Sequence, residues 1–251
     1  AELLALLQRS RELAERTDGA FDPTWAALWG LWDFRAAQPV VPSEEARAER
    51  CARIDWRALE LDPVAGTARL QRPGMLVGLG GIGKGWALDR AAALLAERGV
   101  TDYVISGGGQ VFAHGSPGDG RPWNVGVRDP RGPVDDWFAL VGVRGGSVST
   151  SGDYERFFVV DGARYHHILD PRTGLPGRAF RSVTVVGPDA TTADALSTAL
   201  MLLPLERGRV IAAAEGVEVL WVDADGGTHT TPGLGDRLVV RHPPLKALAT
   251  P

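Results

Sequence analysis

Five glycines fall within the eight residues Gly78 to Gly85, in the run Val77-Gly-Leu-Gly-Gly-Ile-Gly-Lys-Gly-Trp-Ala-Leu-Asp-Arg90. A short apolar run, Met75 to Val77, leads into them, and a helical pattern opens at about Lys84 and stops at Gly99. Residues without a Cβ let the backbone come close to a ligand. A helix N-terminus directly behind them adds free N–H groups and a partial positive charge, which together suit an anion. Strand, glycine loop and helix, with a lysine at the helix start, therefore predict a place for phosphate.

Two familiar patterns match this run by letter, and each lacks the residue that does its chemistry. Gly78 to Gly83 reads G-x-G-x-x-G, but a dinucleotide fold needs an acidic residue about 20 positions on. Here the next strand, Tyr103 to Ile105, runs into Ser106-Gly-Gly-Gly109. Gly78 to Lys84 also reads G-x-x-x-x-G-K, where a Ser or Thr should follow to hold Mg²⁺; this chain has Gly85.

Composition narrows the classes. At 251 residues, 44% apolar and 23% charged, the chain can bury one large core or two small ones, and disorder is not expected. A net charge of −4 with no basic run argues against nucleic acid as a partner. No apolar stretch approaches the roughly 18 residues of a membrane span, so no transmembrane segment is expected. The amphipathic start, Ala-Glu-Leu-Leu-Ala-Leu-Leu, lacks the features of a signal peptide. The single cysteine, Cys51, excludes an internal disulfide and a cysteine-rich zinc site.

In chain order, leucines at 3, 4, 6, 7 and 13 predict a helix over residues 1–17. Trp25, Leu28, Trp29 and Trp32 recur at i, i+3, i+4, i+7 and predict a short helix that buries tryptophans. Strand-like runs near 58–62 and 67–70 lead to the glycine loop. The helix from Lys84 should set Trp86, Leu88, Ala91, Ala92 and Leu95 inward, and Asp89, Arg90, Glu97 and Arg98 outward. Further strands are expected at 123–127, 137–143, 154–160, 164–169, 182–187 and 217–222, with Asp161-Gly162 as a two-residue hairpin turn. Asp189 to Thr192 caps a helix that Pro204 ends, Leu205–Glu215 is helical, and the chain ends loosely. So many hairpins predict one α+β domain over 1–251, with mostly antiparallel sheets flanked by helices.

Three clusters could carry chemistry. Asp194 and Thr198 lie one turn apart on a helix face, with Ser197 beside them. A carboxylate and a hydroxyl on one face make a sparse Mg²⁺ site that leaves positions for water and phosphate oxygens, although Asp194 in a first turn also has the ordinary role of complementing the dipole. In Tyr165-His-His-Ile-Leu-Asp-Pro-Arg-Thr-Gly174, His166 and His167 point to opposite faces of a strand, so only one can face a site. Arg172 and Thr173 in the following turn offer donors to phosphate, and a histidine is a natural general base. Thr150-Ser151-Gly152 reads as a hydroxyl-rich turn.

These pieces, in this order, resemble the ApbE family of FAD:protein FMN transferases. The matching segments are Thr17-Asp-Gly-Ala-Phe-Asp-Pro-Thr24 with a tryptophan near Trp29, the loop and helix from Gly78 to Asp89, the glycine turn 107–109, Thr150-Ser-Gly-Asp-Tyr154, His167 to Gly174, and Ala193 to Thr198. The resemblance implies a T-fold-like α+β architecture and Mg²⁺-dependent transfer of FMN from FAD to a Thr or Ser hydroxyl of an acceptor protein, such as a membrane redox subunit, with release of AMP. It assigns Mg²⁺ to Asp194, Thr198 and the carbonyl of Gly81, with Ser197 alongside. FAD contacts fall to Ala20, Phe21, Asp22, Gly78, Lys84 and His167, and Thr150, Ser151, Arg172 and Thr173 join the candidate cofactor-binding set. His167 and Asp194 are the candidate catalytic pair. The chain departs from the family at Gly78 and Gln110, where Asp is common, and begins after a further family strand and helix that touch the flavin. The resemblance also implies a bacterial location in the periplasm or on the outer face of the inner membrane, by a lipid anchor in a region not in this sequence. Other readings are an FAD pyrophosphatase yielding FMN and AMP, a non-catalytic FAD-binding module and, more distantly, a nicotinamide oxidoreductase.

Overall fold

A computed structural model describes residues 2–246. In order these form α1 (Glu2–Arg16), α2 (Glu44–Cys51), β1 (Leu59–Asp62), β2 (Thr67–Leu70), α3 (Gly83–Glu97), β3 (Tyr103–Gly107), β4 (Gln110–His114), β5 (Trp123–Arg128), β6 (Trp137–Val143) and β7 (Gly145–Gly152). There follow β8 (Phe157–Val160), β9 (Ala163–His166), β10 (Phe180–Gly187), α4 (Ala190–Leu200), α5 (Leu205–Glu215), β11 (Glu218–Asp223), β12 (Thr228–Thr230) and β13 (Leu238–Val240). Every strand pairing among them is antiparallel, as the hairpin-rich sequence predicts. No helix among the described residues is long and apolar enough to cross a membrane. Internal packing divides the chain into two units, one made of residues up to Gly81 with Glu155–Gly177, the other of Ile82–Tyr154 with residues from Arg178 on.

In the first unit α1 buries Leu6, Leu7, Leu13 and Ala14. It stops where Asp18 (φ 51°) and Gly19 (φ 75°) enter the left-handed region and reverse the chain. Thr17 holds that reversal, donating its hydroxyl to Leu13 O at 2.7 Å and accepting from Phe21 N–H at 3.2 Å. The tryptophan-bearing helix is not formed. Residues Ala26–Leu28 make one 3₁₀ turn, and Gly30 at φ 75° then turns the chain away, so the i+7 face never develops. Trp32 does enter the core, stacked on Phe34 and Tyr165, whereas Trp29 stays 58% exposed, edge-on to Trp25. Met75 to Val77, expected as a strand, makes only an isolated bridge from Leu76 to Trp25. The β8–β9 hairpin turns at Asp161 (φ 52°) and Gly162 (φ 75°), as the Asp-Gly pair predicts.

The second unit is built on a six-stranded sheet in the order β12-β11-β10-β7-β4-β3 and a three-stranded one, β13-β6-β5. Val148, Val186, Leu220 and Val222 of the larger sheet share a core with Phe138, Val141 and Val143 of the smaller one and with Leu234. α4 packs on β7 and β10, and α3 packs on α4. Both faces of β10 are therefore covered, and all eight of its residues are buried. α4 is buried at every position except Thr198, which is what an apolar, alanine-rich helix with no charged face should do.

Three further expectations need correction in this unit. Thr150 to Gly152 are not a turn but the end of β7, because their backbone groups pair with β10. The described residues after Asp225-Gly226 are not loose: β12 extends the larger sheet and β13 pairs with β6, while residues 247–251 lie outside the described residues. Asp89 does not point to solvent, since its carboxylate accepts from Ala190 N–H at 2.7 Å and Thr191 N–H at 2.8 Å.

Candidate functional site

In the second unit the site is assembled where the N-termini of α3 and α4 meet. Asp194 is 1% exposed, and both its oxygens are engaged by α3. Oδ1 takes the Lys84 ammonium at 2.6 Å and Oδ2 accepts from Gly85 N–H at 3.1 Å. Burying a carboxylate is costly unless it is paired and hydrogen-bonded, and α3 supplies both partners. The arrangement also satisfies α3, whose N-cap residue, Ile82, has no side chain able to accept from the first turn. Asp194 is that cap, delivered from another helix.

Two glycines make this contact possible, Gly85 by close approach alone and Gly108 by close approach together with a left-handed backbone, φ 57°. None of the five glycines from 78 to 85 is among the positive-φ residues. A Cβ on Gly85 would lie 2.0 Å from Ala190 O and 2.4 Å from its carbonyl carbon, so the α3 backbone rests directly on the first residue of α4. At the β3–β4 turn, a Cβ on Gly108 would sit 2.6 Å from Lys84 Cδ, so that glycine leaves the channel along which the lysine stem runs.

Oxygen donors surround Asp194. Ser197 donates to the Asp194 carbonyl at 2.9 Å and Thr198 to the same carbonyl at 3.3 Å, the usual bond of a hydroxyl within a helix. Ser151 of β7 approaches Ser197 at 2.9 Å and Thr198 at 3.5 Å, and Ser149 lies 3.3 Å from Ser197. Thr150 does not join them. Alternation along β7 turns it to the opposite face of the sheet, where it meets Thr184 at 2.9 Å. Thr150 and Ser151 therefore cannot serve one site, and only Ser151 stands against α4. Gln110, in place of the expected carboxylate, is a structural tie: its amide donates to Ala190 O at 2.7 Å and Ser147 Oγ at 3.1 Å.

In the first unit Ala20, Phe21 and Asp22 are all buried. Asp22 is occupied by its own loop, accepting from Thr24 N–H at 2.7 Å, Thr24 Oγ1 at 2.6 Å and Trp56 N–H at 3.1 Å. Burial holds its carboxyl above its ordinary pKa, against those three bonds. Gly78 receives the Trp25 indole N–H on its carbonyl at 2.9 Å, and a Cβ there would meet Trp25 and Ala26 at 2.9 Å. Gly78 is thus the residue that the Trp25 indole permits. Gly81 closes the same loop and is partly exposed.

The histidine pair separates as strand alternation requires. His166 is buried, with Nε2 2.7 Å from Gly177 O, and is structural; His167, one residue past β9, is partly exposed, and its N–H donates to Arg156 O at 3.0 Å. Arg172, read as a phosphate donor, is bound by its own turn, with Nε and a terminal nitrogen on Asp170 at 2.8 and 2.7 Å. Thr173 caps the same turn, accepting from Leu175 N–H at 3.2 Å. Trp32 anchors this segment through Gly174 O at 2.9 Å, and Arg47 through Thr173 O at 3.0 Å. Sequence reasoning missed Trp25, Trp32, Asp89 and Gly85 as organisers, because each acts across 50 or more positions of chain.

A carboxylate and histidine grouping, Asp129, Asp136 and His242, also occurs in the second unit. Its buried member, Asp129, is spent on the backbone N–H groups of Arg131, Gly132 and Leu245 at 2.9, 3.2 and 2.9 Å, so it organises a loop.

The sequence model of the ApbE family matches residues 1–221. A curated relative named FAD:protein FMN transferase from Treponema pallidum is 38% identical over 95% of this chain and 70% of its own length. One of the same name from Escherichia coli is 34% identical over 90% of the chain and 66% of its own. The chain thus spans about two thirds of the curated relatives it matches. The crystal structure of an ApbE protein from Thermotoga maritima superposes with a TM-score of 0.87 at 38% identity, covering 94% of this chain and 78% of that one. With the glycine loop, the paired Lys84 and Asp194 and the expected antiparallel α+β architecture all in place, this chain belongs to the ApbE family, whose curated relatives are flavin transferases.

Proposed function

We propose that this chain transfers FMN from FAD to a Thr or Ser hydroxyl of an acceptor protein and releases AMP, with a divalent cation such as Mg²⁺ at Asp194. The observation that carries the reading is the buried Asp194 carboxylate, held by Lys84 and by the first turn of the helix behind the glycine loop. The donor set suits a hard cation, being a carboxylate, two helix hydroxyls and Ser151, all oxygen. Thr198 spends its hydrogen on the Asp194 carbonyl, which leaves oxygen lone pairs for a cation. Lys84 is 41% exposed, so its ammonium can leave Oδ1 for a phosphate without being stranded in the interior. Asp194, Thr198 and Ser197 would hold the metal, with the Gly81 carbonyl assigned by family resemblance. When bound, it would supply Lewis-acid stabilisation of the phosphoryl oxygens.

In the reaction, the acceptor oxygen attacks the FMN phosphorus, the pyrophosphate P–O bond breaks, and AMP leaves with that electron pair. Lys84 provides positive charge for the phosphates. His167 takes the hydroxyl proton, leaving a phosphoester between FMN and the acceptor. The test is incubation with FAD, Mg²⁺ and a candidate acceptor, followed by flavin fluorescence on a denaturing gel. Labelled acceptor with one AMP per flavin supports transfer. AMP with unlabelled protein identifies a pyrophosphatase instead, and intact, retained FAD identifies a binding module.

His167→Asn is expected to lower kcat by roughly 10²- to 10⁴-fold, the ordinary range for losing a general base. The fall in kcat should exceed any rise in the KM for FAD, to which His167 is also assigned, and the limb of the pH–rate profile that reports imidazole ionisation should disappear. An unchanged profile would remove the histidine from proton transfer.

A further inference from the structure

α3 and α4 cap one another. Asp194 of α4 accepts from Gly85 N–H in the first turn of α3. In return Asp89, one turn further along α3, reaches the first turn of α4. Its Oδ1 accepts from Ala190 N–H at 2.7 Å, and its Oδ2 from Thr191 N–H at 2.8 Å and Thr191 Oγ1 at 2.5 Å. Asp189, the N-cap of α4, accepts from Thr192 N–H at 2.7 Å, and Asp89 takes the two N–H groups ahead of it, so the two carboxylates share the first turn. A cap supplied from about 100 residues away also does something that a local cap cannot.

Geometry says what that is. Gly85 and Asp89 lie one turn apart on one face of α3, and residues 190 and 194 lie one turn apart on α4. A single link would leave one helix free to roll or slide on the other. Two links a turn apart remove both freedoms, and the Gly85 backbone seated on Ala190 O removes the gap between them. Where the Asp194 carboxylate points is set by this register. Both Asp89 oxygens are engaged by the first turn of α4, so its part is indirect.

We propose that Asp89 is a positioning residue, which sets the Asp194 carboxylate for the divalent cation and the dinucleotide through the N-terminus of α4. This rests on the reading of Asp194 as the metal-binding carboxylate. Groups that orient a ligand from behind typically change metal affinity by about 10- to 100-fold when altered. Asp89→Asn keeps the size of the side chain but replaces one of the two acceptor oxygens with an amide NH2, which donates instead of accepting.

The experiment is a Mn²⁺ titration of the purified chain with FAD present, read by the EPR signal of free Mn²⁺, beside a thermal melt. Asp89→Asn is expected to weaken Mn²⁺ at least about tenfold. Ser43→Ala, which removes the α2 cap in the other unit, should lower the melting temperature without changing Mn²⁺ affinity. Mn²⁺ affinity within twofold of wild type in Asp89→Asn overturns the proposal. If Asp89→Asn does not fold, Thr191→Val decides: it deletes one of the three bonds to Asp89, and an unchanged Mn²⁺ affinity overturns the proposal equally. Should Asp194→Asn itself bind Mn²⁺ as wild type does, the assignment of the metal to Asp194 fails instead.

Discussion

Asp194→Asn is expected to lower FMN transfer by roughly 10³-fold or more, the scale on which removing one preorganised electrostatic contact to a phosphoryl or acyl transition state acts. The substitution is chosen to spare the fold. Asparagine keeps the shape of the side chain, and its carbonyl oxygen can still accept from Gly85 N–H, so the cap on α3 survives. Breaking a fully buried ion pair commonly costs 3–5 kcal/mol because it strands the partner's charge. Lys84 is 41% exposed, so water takes over its ammonium and the penalty should be well below that range. The expected result is a large loss of AMP release and of labelled acceptor with a modest change in melting temperature. Under the proposed mechanism the effect should exceed that of His167→Asn, since a base would assist one proton whereas the metal-binding carboxylate would act on the charge of the whole diphosphate. Near-normal transfer by a folded Asp194→Asn protein would exclude the site described here.

The second large effect is steric. Gly85→Ala would place a methyl group 2.0 Å from Ala190 O and 2.7 Å from Thr191 Cα, against main chain that has no rotamer to escape into. Overpacking a close contact costs typically 1–3 kcal/mol, and one against backbone belongs at the upper end or beyond. About 3 kcal/mol corresponds to a fall of roughly 6–12 °C in melting temperature for a chain of this size. Transfer should also be lost, because α3 must move off α4 and take both partners of Asp194 with it. Gly80→Ala is the matched control: its Cβ would make only an ordinary 3.6 Å contact with Trp25, so it should be nearly silent in the melt. Equal behaviour of the two variants would mean that the loop tolerates bulk generally and that the α3–α4 contact is not rigid.

The chain's short-range signals were read directly. Asp161-Gly162 demanded a tight hairpin, Asp189 began α4, and Leu205–Glu215 formed a helix closed by Gly216 in the left-handed conformation, φ 64°. Hairpin spacing gave antiparallel sheets, and the ordered segments from Thr17 to Thr198 gave the family. All of these are set by residues within a few positions of one another, or by identity alone, so they survive without knowledge of packing.

Other features waited for the packing of distant segments. The glycines of the loop read as room for a ligand, yet Gly78 gives way to the Trp25 indole and Gly85 to the backbone of α4. Thr150 and Ser151 read as one hydroxyl pair until β-pairing with β10 put them on opposite faces. Asp89 had the periodicity of a solvent-facing residue and became a cap for a helix about 100 positions away. Local sequence therefore determined which helices, hairpins and reactive side chains this protein possesses. Only the tertiary structure decided which of them meet, because contact between α3 and α4 depends on close approach of two backbones, and no pattern within either segment encodes its partner.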